Sequence, residues 1–360
     1  MTPQISQAAG KHIESELDRP LDCWFDCVQP EVRMQRGVFK IEELRMRCLK
    51  SGIALVLLAM GMTRICGAQA KADESITRKA ERQFQTAPLK TVPLGKGIFL
   101  LSGDGANIVA IADDVATVLV DSGIGSRVDE LAVALGNTTH RPVTCLINTT
   151  WHFDHTGGNS FFGSSGTVIV AQENIAKELA SGRSVPFVGL RDGPYPSQAL
   201  PARTFKTNLA LEQGLEQLDL INYGSAHTDG DTVVFMAPDN IAVVGDIFSN
   251  PYYPVIDLSS GGSIDGLIYT VDQILARIGE ETKIVPGHGL LATRADLVAY
   301  RDMLVSVRGR VHTLIEAGKS MDEVVAAGPT RDFDAKWGGG YVSSAAFVQM
   351  VFSSLTAQRP

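Results

Sequence analysis

Cysteine is scarce and unevenly placed in this chain: of five, Cys23, Cys27, Cys48 and Cys66 precede residue 71 and only Cys145 follows it. Beyond residue 71 the chain therefore cannot close an internal disulfide, and no thiolate pair can hold a metal there. Cys145 lies in the apolar run Val143-Thr144-Cys145-Leu146-Ile147 and reads as a small buried hydrophobe. Basic charge is also short. With 32 Lys and Arg against 40 Asp and Glu the net charge is −8, which gives no footprint for nucleic acid. No run of like charge marks a disordered tail, and no short-period repeat or low-complexity tract occurs. Hydrophobic residues make up 44% of the chain, enough to bury a sizeable core.

Long apolar runs are missing too. The segment Ile53-Ala54-Leu55-Val56-Leu57-Leu58-Ala59-Met60 falls far short of the ~20 residues that a membrane-spanning helix needs. It follows the basic stretch Arg45-Met46-Arg47-Cys48-Leu49-Lys50 and precedes the small-x-small site Ala68-Gln69-Ala70. That is the three-part pattern of a secretory signal peptide over 46–70. It predicts a mature chain from Lys71, periplasmic or secreted, with no membrane span. Arg64 departs from the pattern, and Thr63-Arg64-Ile65 before Cys66 lacks the residues that precede a lipidated cysteine. Residues 1–45 stand upstream of it: either Met46 is the true start, or they form a cytoplasmic leader.

What is present is a succession of short β-rich runs. Gly97–Leu101, Asn107–Ile111, Val115–Val120, Thr144–Ile147 and Thr167–Val170 predict strands, broken by turn signals such as Gly103-Asp104-Gly105. Helical periodicity covers Ser126–Leu135 and Gln172–Ser181. A second half repeats this order, with strands near Leu215–Ile221, Thr232–Met236 and Ile241–Val244, a helix over Ile264–Ile278, and a strand at Lys283–Val285. Helices follow over Arg294–Ala317, Ser320–Ala327 and Ser343–Ala357, the first with an apolar stripe of Leu297, Tyr300, Met303, Leu304 and Val307. These patterns imply an α/β protein with mixed sheets. The Pro/Gly-rich stretch Ser184–Pro201 has no periodicity and reads as a loop over a site mouth, with Phe187 and Tyr195 as substrate contacts. Gly338-Gly339-Gly340 beside Trp337 reads as a flexible corner.

Chemistry concentrates in four places. Asn148-Thr149-Thr150-Trp151-His152-Phe153-Asp154-His155-Thr156-Gly157-Gly158-Asn159 packs two histidines and an aspartate into four consecutive residues at a strand's end. Ala226-His227-Thr228, Val244-Gly245-Asp246 and Pro286-Gly287-His288-Gly289 follow in order. Four of the chain's seven histidines fall in these motifs. His12, His140 and His312 have no ligand-like neighbours. Imidazole and carboxylate are the usual non-sulfur ligands of Zn²⁺, and strand-end loops present such ligands rigidly.

The first motif resembles the His-x-His-x-Asp-His signature of the metallo-β-lactamase superfamily, with Thr150 in place of its first histidine. The resemblance implies a four-layer αβ/βα sandwich over 71–292 and a helical C-terminal extension over 293–360 packed on it. It implies one metal position of Asp154, His155 and His288 with Asp246 bridging, and another keeping only His152 and His227. One Zn²⁺ is then expected to bind tightly and a second weakly. Asp121, closing a strand, is expected to support the metal loop, and Asp154 to orient or deprotonate the attacking water. Ser249 and Asn250, close behind Asp246, and Tyr195 are candidate substrate contacts. The expected activity is that of an exported zinc-dependent hydrolase. Its metal-bound hydroxide would attack a small-molecule carbonyl substrate, a β-lactam, lactone or thioester. The alternatives are a catalytically weakened binding or scaffold protein, motivated by Thr150, and an iron-dependent oxidoreductase.

Overall fold

The computed structural model of the chain describes residues 88–185, 190–192, 194–213 and 216–357. The expected upstream segment, the expected signal peptide and Phe187 lie outside these described residues. The first sheet is built from β1 (Lys90–Gly95), β2 (Ile98–Asp104), β3 (Ala106–Ala112), β4 (Thr117–Val120), β5 (Val143–Ile147), β6 (Val168–Gln172) and β9 (Arg203–Phe205), in that spatial order. Strands β1 to β4 pair antiparallel, whereas β4, β5, β6 and β9 run parallel. A two-stranded ribbon of β7 (Arg183–Val185) and β8 (Leu190–Asp192) interrupts the chain before β9. The second sheet takes β10 (Asn208–Gln213), β11 (Glu216–Ile221), β12 (Val233–Met236), β13 (Ile241–Asn250) and β14 (Lys283–Gly289), antiparallel except for the parallel β13–β14 pair.

The alternation of side chains along each strand sorts them into layers. From β3, Val109 and Ile111 meet Leu218, Val234 and Val243 of the second sheet in the inter-sheet core. Ile108 and Ala110 point the other way, onto Leu131, Leu135 and Phe162. Those side chains come from the helices α1 (Val128–Thr138), α2 (Phe153–Thr156), α3 (Asn159–Ser164) and α4 (Glu173–Ser181), of which α1 and α3 supply this contact. In β13, Ile241 and Val243 join the inter-sheet core while Ala242 and Val244 face an outer helical layer. That layer is formed by α5 (Ile264–Arg277), α6 (Arg294–Glu316), α7 (Met321–Ala327), α8 (Asp334–Trp337) and α9 (Ser344–Thr356). Each fully buried Val, Leu or Ile contributes roughly 1.5–3 kcal/mol to holding these layers together. The result is the expected four-layer αβ/βα sandwich with a helical C-terminal extension. No helix among the described residues is long and apolar enough to cross a membrane.

Helix α6 opens with a capping box between Thr293 and Asp296 and buries the expected stripe of Leu297, Tyr300, Met303, Leu304 and Val307. Cys145 is free and half-buried rather than fully buried as expected, and burial pushes its thiol up to about 11. Two further expectations need correction. The stretch 184–201 is not structureless, since it contributes to the β7–β8 ribbon and forms a 3-10 turn at Ser197–Ala199. The Trp337–Gly340 corner packs at its two ends, with Trp337 buried and a Cβ at Gly340 standing 3.0 Å from the Tyr252 side chain, while Gly339 is exposed.

Candidate metal centre

Parallel strands share a direction, so the segments following β4 and β5 emerge at one edge of the sandwich, where open α/β sheets bind ligands. Asp121 follows β4, and the metal loop with α2 follows β5. From the second sheet come His227, in the β11–β12 connection, and Asp246 and His288, on β13 and β14. The β13–β14 ladder shifts register between Gly245 and Ser249, and Asp246 occupies that gap. Two glycines make the approach tight enough. A Cβ on Gly287 would lie 2.2 Å from Asp246 Oδ1, and one on Gly245, whose φ is +53°, would lie 2.6 Å from Thr149 Oγ1.

The hydrogen bonds around the imidazoles assign their protons. His155 Nδ1 donates to Asp121 Oδ2 at 2.7 Å, His227 Nδ1 to the Val255 carbonyl at 2.8 Å, and His288 Nδ1 to the Gly105 carbonyl at 2.9 Å. His152 Nε2 donates to Asp257 Oδ2 at 3.3 Å. Each ring thus carries its proton on the outward nitrogen and turns a lone pair inward. There His155 Nε2 meets Asp246 Oδ1 at 3.1 Å, and His288 Nε2 meets Asp154 Oδ2 and Asp246 Oδ1, each at 3.2 Å. His227 Nε2 lies 3.4 Å from Asp246 Oδ2 and 3.2 Å from His152 Nδ1. In this state four lone pairs and two carboxylates face one another with no donor among them, and the whole set is buried. Such a cage demands positive charge at its centre. Thr150 adds to this demand, because its hydroxyl is buried without a hydrogen bond among the described residues.

The electrostatics say the same in terms of protons. Burial disfavours a charged imidazole, yet Asp246 and Asp121 outweigh it and hold His155 well above the ordinary range. His288 is driven up to about 10 by Asp246 and Asp154 against the same burial cost. Asp246, despite its burial, is held well below the usual carboxylate range by His155, His288 and His227. Without a metal the carboxylates draw protons onto His155 and His288; a divalent cation would replace those protons. The donor set divides into two groups whose ligand atoms lie within 4.8 Å of one another: Asp154, His155 and His288, and His152, His227 and Asp246. Nitrogen and oxygen donors with outward N–H bonds to carbonyl and carboxylate suit zinc.

The model of the metallo-beta-lactamase superfamily matches residues 101–291. The chain belongs to that superfamily. Among solved structures, a metallo-beta-lactamase from Pontibacter korlensis aligns at a TM-score of 0.50 and 19% identity, over 60% of this chain and 99% of its own. A stereoselective inverting sec-alkylsulfatase from Pseudomonas sp. aligns at a TM-score of 0.57 and 14% identity, over 75% of this chain and 51% of its own. These likenesses concern the fold. No curated protein matches the chain by sequence.

All six expected ligands of this superfamily member converge, and Asp246 turns one oxygen toward each group, as a bridging residue would. Asp121 is not among them. Its backbone holds a φ of +65°, and its carboxylate accepts from Thr149 N (2.7 Å), Thr149 Oγ1 (2.6 Å) and His155 Nδ1 (2.7 Å). It holds the loop at Thr149 and the His155 ring in place from outside the inward-facing donors. The three candidate substrate contacts are placed as follows. Tyr195 turns its hydroxyl to Thr156 Oγ1 at 3.0 Å and packs near Trp151, and the Asn250 amide donates to the Leu290 carbonyl at 3.2 Å. Ser249 is buried in β13 beside His288.

The open cleft at the site, about 360 Å³, is lined instead by Lys90, Ser102, Asn107, Tyr252, His288 and Tyr341, among others. The Tyr341 ring lies edge-on to His288 at 5.8 Å between centroids. Burial and then the carboxylates of Asp246 and Asp154 keep its phenol protonated well above the ordinary range. Sequence reasoning missed Tyr341, Tyr252 and Asp257. Gly338-Gly339-Gly340 was the one signal near Tyr341, since a glycine run also permits close backbone approach.

Proposed function

We infer that the protein is an exported zinc-dependent hydrolase acting on a small-molecule carbonyl substrate such as a β-lactam, lactone or thioester. The observation that carries this reading is the inward convergence of four imidazole lone pairs and two carboxylates beside an open cleft that His288 lines. Asp154, His155, His288 and Asp246 would hold a zinc there, which would supply an acidified water near neutral pH and polarise a carbonyl. Where its carboxylate is not taken up by the metal, Asp154 would orient that water and accept its proton. Tyr341, protonated at working pH, offers a hydrogen bond to the substrate oxygen that gains charge. Lys90 at the cleft rim favours a substrate with an anionic end. A sulfate ester, the substrate class of the aligned alkylsulfatase, belongs in the same screen.

The weaker group, His152 and His227 with Asp246, lacks an imidazole at Thr150. This favours one tightly held zinc and a second held loosely, and it supports the alternative of a binding or scaffold protein with weakened catalysis. The discriminating experiment measures metal content and hydrolysis of a β-lactam, lactone, thioester and sulfate-ester panel for the wild type and Thr150→His. The hydrolase reading expects at least one zinc per chain, turnover of one class, and a rise in both metal content and rate on restoring histidine. Zinc binding without turnover in either protein favours the scaffold. Export belongs to the same proposal, and an amino terminus at Lys71 on the secreted protein is its check.

A further inference from the structure

The two histidines of the weaker group lean on one short segment, Tyr253–Asp257. The Val255 carbonyl accepts from His227 Nδ1 at 2.8 Å, the Asp257 amide donates to the His227 carbonyl at 2.9 Å, and Asp257 Oδ2 accepts from His152 Nε2 at 3.3 Å. The other side of the segment is held by the C-terminal helices. The peptide joining Val255 to Ile256 takes the His227 bond on its carbonyl, while its N–H donates to Met350 Sδ of α9 at 3.3 Å. One peptide plane therefore links an imidazole of the site to a helix more than ninety residues on. Tyr253 stacks on Phe347 of α9 with centroids 4.8 Å apart and 14° between planes. Its hydroxyl donates to Asp334 Oδ1 at 2.9 Å, and its amide to the Trp337 carbonyl at 2.9 Å.

Every one of these outer contacts lies beyond residue 291, where the match to the superfamily ends. Asp121 and Gly105 orient His155 and His288 from the first sheet without these bonds, and the C-terminal segment meets that group through the Tyr341 ring beside His288. We propose that the C-terminal helices brace the His152–His227 half of the metal centre through Tyr253–Asp257, with Asp257 a positioning residue that fixes the His152 ring. The brace matters most where the third imidazole is missing. A two-histidine position has less affinity to spare, so the orientation of each remaining ring weighs more. Asp257 is buried and also accepts from Ser259 N at 3.1 Å, so its carboxylate is itself held in place.

This inference rests on the reading of the site as a metal centre, and the test separates the two. The full metal-free chain is titrated with Co²⁺ against a chromophoric chelator, and ligand-field bands report each position. Wild type, Asp257→Asn and Phe347→Ala are compared, with Arg301→Ala as a control that breaks the α6 pairing to Asp272 without touching the brace. Should the wild type hold one equivalent, the series is run in a Thr150→His background, which loads the second position. The expected result is a loss of about 10–100-fold in affinity at the weaker position for Asp257→Asn, a smaller loss for Phe347→Ala, and none for the control. The tighter position keeps its affinity and spectrum throughout. Unchanged weaker-position constants in both brace variants, or a second position that stays empty even with histidine at 150, overturn the proposal. A wild type that binds no Co²⁺ at all overturns the metal reading itself. Circular dichroism of each variant confirms that the fold persists, and Asp257→Asn, nearly isosteric, keeps the test decisive if Phe347→Ala unfolds.

Discussion

The two halves of the metal centre use the same donor types but stand on different supports. His155 and His288 are oriented by Asp121, at the end of β4, and by the Gly105 carbonyl between β2 and β3, both within the first sheet's own framework. His152 and His227 are oriented by Asp257 and the Val255 carbonyl, in a connection after β13 that is itself held by helices near the end of the chain. The first half inherits rigidity from a hydrogen-bonded sheet. The second inherits it from side-chain packing, which is lost whenever the outer helical layer loosens. The half that lacks an imidazole is thus also the half with the longer mechanical chain behind it.

The sharpest way to break the comparison is to remove what the halves share. Asp246→Ala takes an oxygen from each, and tight metal binding is expected to fall at both positions by more than about 100-fold, measured by chelator competition. A smaller effect separates the halves. Asp121→Asn is expected to weaken the Asp154, His155 and His288 position by about 10–100-fold and to spare the other, the mirror image of the Asp257→Asn result.

pH tests how far protons stand in for metal. His288 has a folded value near 10 against an ordinary 6.5, so its charged form stabilises the metal-free fold fully below pH 6.5 and ceases to do so as pH passes 10. Asp246 has a folded value well below 3.8, so its contribution is present above pH 4 and is lost as pH falls through that lower value. The unfolding temperature of the metal-free chain should therefore decline on both flanks, and bound zinc should remove the alkaline decline. A decline that zinc leaves untouched would locate the titration elsewhere. The smallest expected effect is that of Tyr253→Phe, which removes one hydrogen bond of the brace. About 1 kcal/mol of stability should go with it, read as a drop of a few degrees in unfolding temperature.

Much of the site was legible because its ligands sit in short, ordered motifs at strand ends. The central strands were legible as well, since burial on both faces leaves continuous apolar runs such as Asn107–Ile111 and Ile241–Val244. Edge strands were not. β1 (Lys90–Gly95) is largely exposed and carries Pro93, and β10 (Asn208–Gln213) buries only part of one face, so neither presents an apolar run. Asp257 was invisible because nothing in the Pro254–Ser259 sequence distinguishes a carboxylate that caps a turn from one that also reaches an imidazole 105 residues earlier. Tyr341 was hidden by the same distance: it meets His288 only after α6 to α8 have folded back along the second sheet.

By itself the sequence determined an α/β protein with mixed sheets, through strand and helix periodicities, and short His- and Asp-bearing motifs at strand ends, from which the resemblance implied the layer order and the six donors. It also set one imidazole fewer in one half, with a threonine hydroxyl, a poorer zinc ligand, at Thr150. Tertiary structure alone decided which ring nitrogen each histidine turns inward, because that depends on carbonyls and carboxylates brought from remote strands. It also decided that the cleft wall and the brace of the weaker half come from the last helices. Packing an outer helical layer onto a sheet is governed by buried area and shape, which local periodicity does not encode.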